Sequence, residues 1–243
     1  MEDIIVLNVK YKFGDIEDVI HPVILRDNNE MILVDCGYTG FMPVIENAII
    51  AENLDCNRLS KILITHHDHD HMGALADFKQ KYPTIKIIAS EIEAPYIEGE
   101  KKSLRLEQAE SLQNALNEEQ KSFGKTFCAI LRSVKPAKVD LYVHDGDVMD
   151  WCGGCVIVGT PGHTPGHISL YLKKTKTFIT GDAAALENDQ LVVANPQFTL
   201  DMENTAKSIS KILRYDVDTY ICYHGGVHNR KTNTPSMKSR MDI

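Results

Sequence analysis

Six consecutive residues, His66-His67-Asp68-His69-Asp70-His71, follow the apolar run Ile62-Leu63-Ile64 and lead into Met72-Gly73. Nothing else in the chain restricts its fold so tightly. The apolar run reads as a buried strand. A strand that opens into imidazoles and carboxylates ends where those groups are either used or solvated. Imidazole and carboxylate together suit zinc, iron or manganese. A histidine tag is terminal and nearly pure His, whereas this run is internal, mixed, and framed by a strand and a helix. We therefore read it as a metal-binding loop at a strand end.

Hydrophobic residues make up 43% of the 243, enough for one large globular domain or two small ones. The formal net charge of -8 argues against general binding of nucleic acid or anionic membranes, which leaves a small-molecule substrate as the expected partner. Met1-Glu2-Asp3-Ile4-Ile5-Val6 carries no basic region, and no apolar stretch approaches membrane-spanning length. With six scattered cysteines, a cytoplasmic protein with reduced thiols is expected. A homodimer is compatible with the sequence, but no feature requires one.

Residues 4–9, 20–25 and 31–35 read as strands, with Asp27-Asn28-Asn29-Glu30 as a turn. Residues 41–53 read as a helix with Pro43 in its first turn. Lys61–Thr65 reads as a strand, Gly73–Tyr82 as a helix stopped by Pro83, and Ile85–Ala89 as a further strand. Residues 91–135 turn rich in Glu, Gln, Lys and Leu, with Ala109, Leu112, Leu116 and Phe123 on a helical stripe. We read them as a helical insertion, either a cap or an ordinary surface helix, within a single domain over 1–243. Strands follow at Asp140–Val143, Val148–Trp151, Cys155–Gly159, Ile168–Leu172 and Thr177–Thr180, then a helix at 203–214 and a strand at Thr219–Cys222. The Lys/Ser/Thr-rich tail from Arg230 is expected to pack loosely.

Three later segments repeat one pattern, a strand followed by a candidate ligand beside glycine. They are Gly159-Thr160-Pro161-Gly162-His163-Thr164-Pro165-Gly166-His167, Thr180-Gly181-Asp182 and Tyr223-His224-Gly225-Gly226. Glycine beside a ligand lets backbone approach closely. Each segment alone is weak, but the joint order is specific. With Val34-Asp35-Cys36-Gly37, it resembles the metallo-β-lactamase-fold superfamily over residues 60–226. The resemblance implies an α/β fold, a four-layer αβ/βα sandwich with metals at one edge between two sheets.

The usual motif of that superfamily is His-x-His-x-Asp-His, preceded by Thr and followed two residues later by Gly. Anchoring on Thr65 and Gly73 aligns His66, Asp68, Asp70 and His71, so a carboxylate replaces the second histidine. This His-x-Asp-x-Asp-His form resembles a subgroup of small bacterial hydrolases. A register using His67, His69 and His71 abandons both anchors. The resemblance implies two divalent ions, zinc first, with iron or manganese as alternatives. Metal 1 would take His66, Asp68 and His163, metal 2 would take Asp70, His71 and His224, and Asp182 would bridge. Asp68 adds hard oxygen and negative charge, which favours iron or manganese somewhat and could weaken metal 1. The implied activity is hydrolysis of an ester-type bond (lactone, thioester or phosphodiester) by a metal-bound hydroxide, with Asp70 orienting it or carrying its proton. Asp35 is a candidate partner for a ligand histidine. The alternative is a redox, oxygen-handling or ligand-binding protein on the same scaffold, since carboxylate substitution in this motif is also a feature of iron-bearing relatives.

His67 and His69 are expected beside the ligands or exposed, His167 as a hydrogen-bonded structural residue, and His21, His144 and His228 at surface or turn positions. Cys152-Gly153-Gly154-Cys155 has redox spacing but also suits a hairpin turn. Tyr96, Phe123 and Phe127 could wall a pocket or pack on the sandwich. Lys101, Lys102, Arg105, Lys121 and Lys125 suit either an anionic substrate or a solvated helix face.

Overall fold

The computed structural model describes residues 3–13 and 16–230, so the expectation for the tail lies outside the described residues. The chain opens with β1 (Asp3–Val6), the hairpin β2 (Val9–Phe13) and β3 (Ile16–Ile20), then β4 (Val23–Arg26), β5 (Met31–Val34) and α1 (Met42–Ala51). Next come β6 (Lys61–Leu63), the single turn α2 (His69–Met72), α3 (Leu75–Lys81), β7 (Lys86–Ser90) and α4 (Ala94–Ile97). The helices α5 (Leu104–Leu112) and α6 (Glu118–Ser133) precede β8 (Leu141–Val143), β9 (Val148–Met149), β10 (Cys155–Gly159), β11 (Ile168–Leu172) and β12 (Thr177–Ile179). The hairpin β13 (Ala185–Glu187) and β14 (Gln190–Val192), α7 (Met202–Ile212), β15 (Thr219–Cys222) and β16 (Gly226–Asn229) complete it.

Two six-stranded sheets result, ordered β1-β4-β5-β6-β7-β8 and β16-β15-β12-β11-β10-β9. Side chains alternate across each strand, and this sorts the core into layers. Ile32 and Val34 of β5 pack between the sheets with Leu170 and Ile179, while Met31 and Leu33 pack outward with Ile45, Ile49 and Phe78 of α1 and α3. On the second sheet Ile221 faces inward, and Tyr220 and Cys222 face outward with Ile212 of α7. Helix, sheet, sheet, helix is the expected four-layer sandwich.

Strand direction places the site. β5, β6 and β7 are mutually parallel, so their C-terminal ends share one edge. β12 is parallel to β15, and both β10 and β12 run antiparallel to β11, so β10, β12 and β15 also end together. The loops after β5, β6, β10, β12 and β15 each carry a candidate ligand or a residue that binds one, and the loop after β7 carries Glu93, which holds the motif loop through His67.

Several boundaries differ from the sequence reading. The expected strand over 4–9 is two strands with a break at Leu7 and Asn8, and β2 pairs with β3 as a polar hairpin. That ribbon is half-exposed, so it lacks the apolar run on which the reading relied. The insertion holds the short α4 and then two longer helices, α5 and α6, the second started afresh by a capping box of Asn117 and Gln120. Of the expected stripe, Ala109 packs on Cys128 and Leu131, whereas Leu112 and Phe123 are exposed. Cys152 sits in a turn at Trp151–Gly153 between β9 and β10, its thiol facing the Arg26 carbonyl, and Met149 rather than Cys152 opposes Cys155. That geometry agrees with the hairpin reading.

Candidate metal centre

The motif loop leaves β6 at Thr65 and is set by Asp35, which follows β5 with a φ of 59° that Asp tolerates better than most residues. The Thr65 amide donates to Asp35 Oδ1 at 2.8 Å, and the Thr65 hydroxyl donates to Oδ2 at 2.8 Å. His71 Nδ1 lies 2.8 Å from the same Oδ2, so its N–H donates there and its Nε2 is left for the interior. The Thr65 hydroxyl, having spent its proton, accepts from His66 Nδ1 at 3.0 Å. One carboxylate thus fixes two imidazoles with their Nε2 lone pairs turned the same way.

The single turn α2 then projects Asp70 and His71, and it packs too closely for any side chain at Gly73. A Cβ there would stand 2.3 Å from the Thr39 amide nitrogen and 2.4 Å from the His69 carbonyl. The loop after β10 brings in His163, and a Cβ at Gly162 (φ +141°) would meet the Thr205 backbone nitrogen at 2.4 Å. Asp182 follows β12 and His224 follows β15.

All seven expected residues converge. His163 Nε2 lies 3.0 Å from Asp68 Oδ2, and His66 Nε2 lies 3.6 Å from it. His71 Nε2 is 3.3 Å from Asp182 Oδ1, and His224 Nε2 is 3.3 Å from Asp70 Oδ2 and 3.6 Å from Asp182 Oδ1. Asp182 Oδ2 is 3.6 Å from His163 Nε2, so this carboxylate spans both halves of the cluster. Three triads could each hold a cation: His66, Asp68 and His163; His66, His71 and Asp182; and Asp70, His71 and His224.

The chemistry of these atoms fits a metal. His66 Nε2, His71 Nε2, His224 Nε2 and Asp182 Oδ1 are buried without a hydrogen-bond partner among the described residues. Buried polar atoms are rarely left so, because each costs about 1–3 kcal/mol. Burial pulls the His71 and His224 values down, yet the charges of Asp182 and its neighbouring carboxylates outweigh it and raise both. Burial pushes the Asp182 carboxyl up, and His224 and His71 more than reverse that. The pocket therefore favours extra positive charge. Burial and the nearby His71 lower His66, which keeps its imidazole neutral as a ligand must be.

The interleaved histidines are not ligands in this arrangement. His67 pairs with buried Glu93, which also accepts from the His67 amide at 2.9 Å and the Gly166 amide at 2.7 Å. This carboxylate ties the motif loop to the Pro-Gly loop. His69 lines the cavity between Tyr38 and Phe127. His167 is structural, as expected: the Asp182 amide donates to its Nε2 at 2.9 Å and its Nδ1 donates to Thr160 Oγ1 at 2.8 Å. His144 is exposed beside Glu91, whereas His228 is buried on β16, against expectation, because it lies opposite Tyr220 on the helix-facing side of the sheet and packs against that ring.

The cluster floors a cavity of about 430 Å³ walled by Tyr38, Phe127, Phe198 and Leu186. Phe127 is thus a wall residue, Phe123 is exposed, and Tyr96 stacks on His67 instead. The sequence left one contributor open. Arg105, which suited either an anionic substrate or a solvated helix face, is only 3% exposed and reaches Asp68. Its signal in the sequence was an Arg in a charge-rich helix, the same as that of its neighbours.

The family model for the metallo-beta-lactamase superfamily matches residues 17–224. The chain is 26% identical over 208 residues to the probable metallo-hydrolase YflN of Bacillus subtilis, covering 81% of this chain and 76% of that one. It is 27% identical over 169 residues to a hydroxyacylglutathione hydrolase of Bartonella quintana, covering 68% of this chain but only 51% of that relative. A metallo-beta-lactamase family protein from Thermus thermophilus superimposes with a TM-score of 0.71 at 20% identity, over 93% of this chain and 74% of that one. An archaeal superfamily protein from Sulfolobus tokodaii superimposes with a TM-score of 0.63 at 17% identity, over 100% and 91%. At these identities the two structural likenesses speak for the fold.

Proposed function

The chain belongs to the metallo-beta-lactamase superfamily, and on that basis we propose a metal-dependent hydrolase that cleaves an ester-type bond of a small molecule. A thioester is the first choice within that class, ahead of a lactone or a phosphodiester, because a hydroxyacylglutathione hydrolase is among its relatives. The observation that carries the reading is the set of converging, unpartnered imidazole and carboxylate atoms on the floor of a cavity. In this reading Asp70, His71, His224 and Asp182 are one ligand group, and His66, Asp68 and His163 form a second beside it. Each group joins two imidazoles to carboxylate oxygen, a donor set that suits zinc and also manganese or iron.

A bound divalent ion would supply Lewis acidity and bring a water's pKa toward neutrality. The chain's own residues do the rest. Burial pushes the Asp70 carboxyl up, but His71 and His224 hold it below the usual carboxylate range, so it is ionised at neutral pH. It can therefore orient an attacking water by accepting its hydrogen bond, although the same depression makes it a weak proton acceptor. Tyr38 faces the same cavity, and burial together with the Asp70 charge raises its phenol, which stays protonated and can donate a hydrogen bond. The hairpin of α5 and α6 serves as a cap that narrows the entrance with Phe127.

The test is a panel containing an acyl thioester, a lactone, a phosphodiester, a phosphomonoester and a β-lactam, run on zinc-, manganese- and iron-loaded protein beside Asp182→Ala. Turnover of one bond type that disappears in the variant supports the proposal and selects the bond. Turnover that persists in Asp182→Ala would remove the cluster from the chemistry.

A further inference from the structure

Arg105 stands at the mouth of one of the two ligand groups. It lies on the first turn of α5, where the Ser103 side chain accepts from the Leu106 amide and fixes the helix start. Its Nε and Nη2 both donate to Asp68 Oδ2, at 3.2 and 2.6 Å. Nη2 also lies 3.3 Å from His163 Nε2, Nη1 donates to Gln108 Oε1 at 2.6 Å, and the guanidinium sits 4.9 Å over the Phe198 ring. Every arm of this cation is therefore held, on a side chain that is 3% exposed.

The guanidinium is aimed at the place where His66, Asp68 and His163 would meet an ion. Ligand atoms stand roughly 2.0–2.2 Å from zinc, so such an ion would sit against a fixed positive charge. It would also compete for the Asp68 oxygen and the His163 nitrogen that Arg105 already engages. No lysine or arginine forms an ion pair with Asp70 or Asp182 among the described residues, so the other ligand group carries no such rival. The charges tell the same story. A carboxylate in place of a neutral imidazole at position 68 adds one negative charge, and Arg105 returns one positive charge to the same oxygen.

We infer that Arg105 takes the place of an ion at His66, Asp68 and His163, so that the chain holds one divalent ion, at Asp70, His71, His224 and Asp182, beside a fixed guanidinium. This rests on the metal-dependent reading above and makes its two ligand groups unequal. Asp68 is then a partner of arginine rather than a hard-oxygen ligand, and Arg105 is a positioning residue that sets the metal count.

Zinc titration of chelator-stripped protein, with metal content measured after equilibrium dialysis, tests this on the full chain. Wild type is expected to retain one zinc per chain. Arg105→Met is expected to retain two, its second site tightened on the order of a hundredfold by removal of a neighbouring like charge. The pair Asp68→His with Arg105→Met exchanges two buried charges for neutral groups, so it leaves no unpaired charge to disturb folding, and it is also expected to hold two. Two zinc ions of comparable affinity in wild type, or a single zinc in the double variant, would overturn the inference and leave the hydrolase reading standing. No zinc in wild type would overturn both.

Discussion

Asp35→Asn should disable the metal centre without touching a ligand. Asp35 accepts three bonds, from the Thr65 amide, the Thr65 hydroxyl and His71 Nδ1, each at 2.8 Å. Asparagine tolerates the left-handed backbone at this position, so the loop need not rebuild. It offers one acceptor oxygen, which the Thr65 amide can keep. Its NH₂ then faces the hydroxyl and His71 Nδ1, which both present protons to it. Relief requires His71 to carry its proton on Nε2, the atom that lies 3.3 Å from Asp182 Oδ1 and would otherwise ligate. The Thr65 hydroxyl must also turn, which frees His66 to reorient. Loss of such an outer partner typically costs 10–100-fold in metal affinity, and two charge-assisted bonds are worth roughly 3–6 kcal/mol of stability. Zinc affinity measured by competition with a chromophoric chelator, beside urea denaturation of the metal-free protein, reads both. A folded Asp35→Asn variant that binds zinc within twofold of wild type would show that Asp35 does not set the tautomers of the ligand histidines.

Other perturbations follow from the same geometry. Glu93→Ala leaves the His67 and Gly166 amides and the His67 ring without their buried acceptor, and should cost about 3–5 kcal/mol in urea denaturation; a loss under about 1 kcal/mol would show that the two loops do not depend on it. Gly73→Ala forces a Cβ into the Thr39 and His69 backbone and should lower stability by about 2 kcal/mol or more, read as a lowered Tm; an unchanged Tm would contradict that close approach. The stability of the metal-free protein should depend on pH. Against the effect of burial, Asp182 and its neighbours hold His71 and His224 above the ordinary histidine value, so their imidazolium contribution is complete below about pH 6.5 and is lost as pH rises through the folded values. Burial likewise opposes the depressed carboxyls of Asp68 and Asp182, whose contribution holds above about pH 4 and is lost as pH falls through their folded values. Histidines held low, such as His66 and His167, are neutral in both states above about pH 6.5, so Tm of chelator-treated protein should fall as pH rises from there into the alkaline range, and a flat or rising profile would contradict the sign.

How much of this was legible in the sequence varies with the kind of signal. Strand ends followed by glycine and a ligand lie in an order that resembles the metallo-β-lactamase-fold superfamily, and that resemblance named the seven clustered residues. The role of Asp35 was legible because it sits in a strand-end motif of its own. Glu93 and Arg105 were not, because each acts across 26 and 37 residues of sequence through tertiary contacts. Nothing local separates Arg105 from Lys101 or Lys102, since burial of one cation among several depends on which helix face meets the motif loop. The hairpin of β2 and β3 was missed for a different reason. An exposed ribbon needs no apolar run, and its register comes from pairing alone.

Anomalous diffraction from a crystal of the zinc-loaded protein probes the metal centre itself. The expected result is a peak bounded by Asp70, His71, His224 and Asp182, at about 2.0–2.2 Å from the ligand atoms, with Arg105 still on Asp68. A zinc peak confined to surface carboxylates, with none in this cluster, would mean that these residues do not form a metal centre.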